Sequence, residues 1–214
     1  VYKKWLTGPI AVGLIALAPQ AQSALITFDD VVVGETTFGF DGDGDAIADV
    51  VFSTSDPLGF NTVGPGVNQQ FIDEPGLEGT SLLDPDLRVD FLNGAVGPLE
   101  FGFALNSSFD SDDLFAAISV FDSAGGLLGS ALTVGVLGDS SFPEGIVSVT
   151  FDGTASFATF DFTSEFGRYI IDNFSGTFGS TEEIPDPDPQ PVPEPGTLLL
   201  LAMGLAGLRL ARRR

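Results

Sequence analysis

The sequence predicts an all-β protein, a two-sheet antiparallel β-sandwich flanked by an N-terminal signal helix and a C-terminal hydrophobic helix. Three observations lead there. Residues 25 to 179 run as short apolar or alternating segments separated by clusters of Gly, Asp, Asn, Pro and Ser, the rhythm of strands and turns. Helical periodicity is weak over the same stretch. The chain has no cysteine, so the domain must be held by a core or by metal, and the roughly 155 residues available suffice for one core.

In chain order the candidate strands are Leu25 to Phe28, Thr36 to Phe40, Ala48 to Ser53, Leu87 to Phe91, Leu99 to Leu105, Leu114 to Phe121, Leu127 to Val136, Ile146 to Phe151, Phe157 to Phe162 and Tyr169 to Phe174. Alternation puts Ala158, Phe160 and Phe162 on one apolar face, with Phe157, Thr159 and Asp161 opposite. Leu99, Phe101, Phe103 and Leu105 share a face in the same way. Two sheets carrying such faces bury their phenylalanines against each other. Asp122-Ser123-Ala124-Gly125-Gly126 is a hairpin signal, and Asp152-Gly153 is another.

The two ends differ from this body. Lys3 and Lys4 form a basic start, Trp5 to Ala18 an apolar run and Ala21-Gln22-Ser23-Ala24 a small-residue cleavage zone, the layout of a secretory signal peptide over residues 1–23. Cutting after Ser23 leaves small residues at Ala21 and Ser23. The secretion translocon and signal peptidase are then its first partners. From Ser180 the chain reads STEEIPDPDPQP, an acidic linker over 180–191 whose alternating prolines favour an extended spacer. The domain proper is thus 24–179.

The last segment, 192–214, places a Pro-Glu-Pro turn, an apolar run from Thr197 to Leu208 and a cluster of arginines in fixed order. Arg209, Arg212, Arg213 and Arg214 are the positive stop that holds such a run at the cytoplasmic face. Val192, Pro193, Glu194, Pro195, Gly196 and Thr197, together with the apolar run and the terminal arginines, resemble the PEP-CTERM sorting signal of Gram-negative bacteria. The resemblance implies recognition by an exosortase, transient anchoring in the inner membrane, cleavage near the Pro-Glu-Pro, and release or attachment outside the cell, often with exopolysaccharide.

Charge narrows the function classes. Six of the 8 basic residues lie in the two end segments, whereas all 30 acidic residues lie between Asp29 and Glu194. Only Arg88 and Arg168 oppose them, a formal charge of −28 for that region. Such a surface repels nucleic acid and attracts divalent cations. With no His or Cys anywhere, and Lys, Trp and Met confined to the ends, His-dependent hydrolases, the common zinc sites and Schiff-base chemistry are excluded. Carboxylate pairs of the glycosidase type are the catalytic option left. Nothing in the sequence singles out one pair, so no catalytic residue is assigned.

Asp41, Asp43, Asp45 and Asp49 stand at positions 1, 3, 5 and 9 of a short loop, a spacing that can wrap oxygens round one calcium ion, with the Ile47 carbonyl as a further ligand. The pattern resembles the D-x-D-x-D-x-x-x-D calcium loops of repeat and adhesion proteins. It departs from an EF-hand, with Ala46 at the glycine position and Phe52 where the bidentate Glu would stand. A plain Asp-Gly turn without metal is the competing reading.

The stretch from Leu114 to the Tyr-Ile-Ile-Asp-Asn-Phe ending at Phe174 resembles the last strands of jelly-roll domains of the carbohydrate-binding-module or galactose-binding type. That resemblance implies that Asp29, Asp30 and Asp172, near the first and last strands, share a second, structural calcium. The expectation is therefore an exported, non-enzymatic surface or matrix protein associated with exopolysaccharide and biofilm, stabilised by calcium. A glycan-binding module with a defined sugar ligand is the first alternative, and a carboxylate-dependent glycoside hydrolase or lyase the second.

Overall fold

The computed structural model describes residues 22–62, 68–73, 75–80, 86–164 and 167–179. The chain divides into two units, Val1–Thr181 and Glu182–Arg214. Most of the signal segment, the whole of the linker and sorting segments over 180–214, and both predicted terminal helices lie outside the described residues. Among the described residues there is no helix, so none is long and apolar enough to cross a membrane.

Eleven strands form: β1 (Gln22–Ile26), β2 (Thr37–Phe40), β3 (Val50–Ser53), β4 (Phe60–Asn61), β5 (Leu77–Gly79), β6 (Leu87–Leu105), β7 (Phe115–Phe121), β8 (Leu127–Val134), β9 (Glu144–Val149), β10 (Ala155–Thr163) and β11 (Tyr169–Phe178). Every pairing among them is antiparallel. The first half of β6 lies between β3 and β10, in the order β2-β3-β6-β10-β7-β8. Its second half lies between β9 and β11, and β11 carries β1 and the β5-β4 pair on its other side. Both layers thus share one long strand.

The sequence predicts two strands, Leu87 to Phe91 and Leu99 to Leu105, where the chain has one of 19 residues. Asn93-Gly94 and Gly97-Pro98 read locally as turns. Instead they bend a strand whose ladder continues through them, with Ala95 opposite both Ala155 and Phe178. Gly94 takes φ +80, and a Cβ there would come 2.5 Å from Thr154 Cγ2, so the bend requires glycine. β1 also begins earlier than Leu25, pairing Gln22 with Phe178 and Ser23 with Thr177, and it stops before Phe28, whose φ is +59.

The two layers meet through rings, as the alternation predicts. Ala158, Phe160, Phe162, Leu99, Phe101, Phe103 and Leu105 are all buried. Phe174 of β11 packs edge-on against Phe52 of β3 at 5.2 Å between centroids, and Phe101 of β6 meets Phe160 of β10 at 5.1 Å. Phe162 and Tyr169 stack at 3.9 Å. Burial of this many phenylalanine side chains, each contributing roughly 1.5–3 kcal/mol, replaces the disulfides the chain lacks.

The outer face of the β9-β6-β11 layer is crossed by residues 68–73. Gly102 makes room for them, since a Cβ there would lie 1.9 Å from the Phe71 carbonyl oxygen. Two buried carboxylates hold this strap. Glu144 accepts from the Gln70 and Phe71 amides at 2.8 and 3.2 Å, and Asp172 accepts from the Asp73 amide at 2.7 Å.

Candidate functional site

The hairpin of β2 and β3 presents the aspartate loop. Phe40 pairs with Val50 at its base, and the Asp49 amide donates to the Phe40 carbonyl at 2.8 Å. Within the loop, Asp41 accepts from the Gly44 and Ala46 amides at 2.7 and 2.8 Å, folding the acidic run back on its first residue. Gly44 and Ala46 both take positive φ, +78 and +69. Asp49 accepts from the Gly42 amide at 2.8 Å and from the Asn93 side chain at 2.9 Å, which ties the loop to β6.

This folding brings one oxygen each of Asp41, Asp43 and Asp49 within 4.8 Å of one another. Ligands on opposite sides of a calcium ion at 2.3–2.6 Å stand roughly 5 Å apart, so the three fit around one such ion. Asp45 stays outside the trio and accepts from the Ile47 amide at 2.8 Å. The Gly44 amide lowers the Asp41 carboxyl below its usual value. At Asp43 the Asp45 amide acts the same way, but partial desolvation and the charges of Asp45, Asp49 and Asp41 outweigh it and raise the carboxyl.

Asp29, Asp30 and Asp172 are placed differently. Asp172 is buried and accepts from the Asn173 amide at 2.7 Å as well as from Asp73, so it is built into the strap. Burial pushes its carboxyl up to about 6 against those amides, with the charges of Asp73 and Asp29 adding to the rise. Asp29 is exposed and accepts from the Thr27 hydroxyl at 2.7 Å, and Asp30 is exposed beside it. Among the described residues, the loop trio is the group of three carboxylates that converges.

Two further features involve the pair of arginines that the acidic region contains. Arg88 bonds Asp90 and sets its guanidinium carbon 4.1 Å from the Phe157 ring centre. Phe121 stacks on the same ring at 4.9 Å and 14°. Because β6 and β7 flank β10, these neighbours cover opposite faces of Phe157, which leaves that ring no free face on which a sugar could stack.

Arg168 pairs with the buried carboxylate of Glu78, which also accepts from the Asn61 side chain at 2.7 Å. Beside this pair opens a cleft of about 150 Å³, lined among others by Ala104, Asn106, Phe142 and Ile170. No sequence motif marks it. The one signal in the sequence is the rarity of Arg168 in an acidic domain, since Glu78 lies 90 positions away.

Comparison with known proteins bears on the C-terminal segment. Residues 191–214 match the PEP-CTERM protein-sorting motif. The chain is therefore an exported protein sorted by exosortase, with transient membrane anchoring through this motif. Comparison with curated proteins returns no match. Among solved structures, it is similar to an arabinose-bound α-L-arabinofuranosidase, MgGH51, at 12% identity and TM-score 0.38, covering 71% of this chain and 25% of that one. It thus spans a quarter of that enzyme's length. It is also similar to the carbohydrate-binding module CBM29-2 complexed with mannohexaose, at 14% identity and TM-score 0.39, covering 78% of this chain and 99% of that one. The K1 cleaved adhesin domain of Lys-gingipain from Porphyromonas gingivalis W83 is similar at 14% identity and TM-score 0.37, with 74% and 99% covered.

Proposed function

We propose that the protein is a non-enzymatic component of the cell surface or of an exopolysaccharide matrix, stabilised by calcium at Asp41, Asp43 and Asp49. The observation that carries this reading is the charge of the exported region, 30 acidic residues against Arg88 and Arg168. At such a density, unpaired carboxylates repel one another and the compact state is stabilised by bound divalent cations. Calcium also bridges protein carboxylates to those of an acidic polysaccharide, which gives a like-charged protein a way to remain in an anionic matrix. The sorting motif supports the reading because it marks an exported protein.

Fractionating the producing cells tests it. The protein is expected in the polysaccharide fraction, to be released by a calcium chelator, and to be lost from that fraction when residues 192–214 are deleted. Recovery in free solution at every calcium concentration would remove the proposal.

A further inference from the structure

We propose that the cleft beside Arg168 binds one neutral sugar ring of a polysaccharide. Its volume of about 150 Å³ is below the roughly 300 Å³ at which sites for larger ligands begin, so it accommodates a single small ring. Ala104, Phe142 and Ile170 form an apolar wall suited to the C–H face of a pyranose. The lining also includes groups of both hydrogen-bonding senses. The Asn106 amide offers a donor and an acceptor and has no side-chain partner among the described residues. Arg168 also lines the cleft, its guanidinium paired with Glu78.

Charge selects the ligand class. The Arg168 guanidinium is already neutralised by Glu78, and the region around them is strongly acidic, so an anionic sugar gains no positive centre. A cationic ligand likewise finds the Glu78 carboxylate already held by Arg168 and Asn61. A neutral polyol instead uses donors and acceptors together, as vicinal hydroxyls do. Glu78 is 4% exposed and held by Asn61 and Arg168, so the polar side of the cleft is set before a ligand arrives.

The polysaccharide source of the ring rests on the matrix reading, but the site does not require calcium. The test is calorimetric or NMR titration of the full-length chain with methyl glucoside, methyl galactoside and methyl mannoside, with methyl glucuronide as the charged control. A neutral glycoside is expected to bind with Kd on the order of 1–10 mM and the glucuronide at least about tenfold more weakly. Asn106→Ala should weaken binding about tenfold with the melting temperature unchanged, because that side chain holds no structural bond among the described residues. Asn106→Asp keeps the volume, removes the donor, and should weaken binding at least as much. Absence of binding by all three neutral glycosides, tighter binding of glucuronide, or full affinity in both variants would overturn the site. If the chain still pellets with polysaccharide while no glycoside binds, this site fails and the matrix reading stands; glycoside binding without pelleting is the reverse.

Discussion

Replacing Asp172 with Asn changes how stability depends on pH, and the structure supplies both the sign and the size. The carboxyl is buried, 2% exposed, and is pushed from 3.8 up to about 6 chiefly by desolvation. A raised carboxyl binds its proton more tightly in the folded chain than in the unfolded one. Stability from this group is therefore fullest below the ordinary aspartate value, falls as pH rises between 3.8 and about 6, and is flat above that. The rise corresponds to roughly 3 kcal/mol between the ends of the window. Urea unfolding of the wild type and of Asp172→Asn at intervals from pH 4 to 7, with chelator present, isolates the effect. The wild type should lose about 2–3 kcal/mol relative to the variant across that range. A difference that stays constant with pH, or that grows in the wild type's favour, refutes the reasoning.

Three other perturbations draw on the same geometry. Phe174→Ala removes the ring that contacts Phe52, Phe101, Phe160 and Phe178, and should cost about 3–5 kcal/mol in urea unfolding with an unchanged m-value; a loss under about 1 kcal/mol contradicts the packing. Gly102→Ala places a methyl group against the Phe71 carbonyl, so it should speed hydrogen exchange of the Gln70, Phe71 and Asp73 amides and cost more than about 1 kcal/mol, whereas unchanged exchange speaks against the strap. Calcium at about a hundredfold excess over its Kd should stabilise the wild type by about 2.7 kcal/mol and leave Asp43→Asn nearly unaffected; equal melting with calcium and with chelator argues for a metal-free turn.

Much of the sandwich was legible because its inner faces repeat every two residues. The pattern of Phe157 to Phe162, and of Leu99 to Leu105, depends on neighbours along one strand, and burial follows it in both. β4 and β5 were not anticipated, since strands of 2 and 3 residues are too short to show alternation. Continuity of β6 through Gly94 and Pro98 was hidden for another reason: the strands that extend its ladder come from elsewhere in the chain. Three of the four loop aspartates converge as their spacing suggests, because loop amides close the turn locally. The partners of Asp172 and Arg168 lie 99 and 90 positions away, at Asp73 and Glu78, and no local pattern carries such pairings.

The most direct test of a matrix role is co-sedimentation of the purified exported protein with the producer's own extracellular polysaccharide across a calcium titration. The acidic charge and the aspartate loop predict pelleting that rises with calcium and is reversed by chelator. Protein that stays in the supernatant at every calcium concentration would contradict the account.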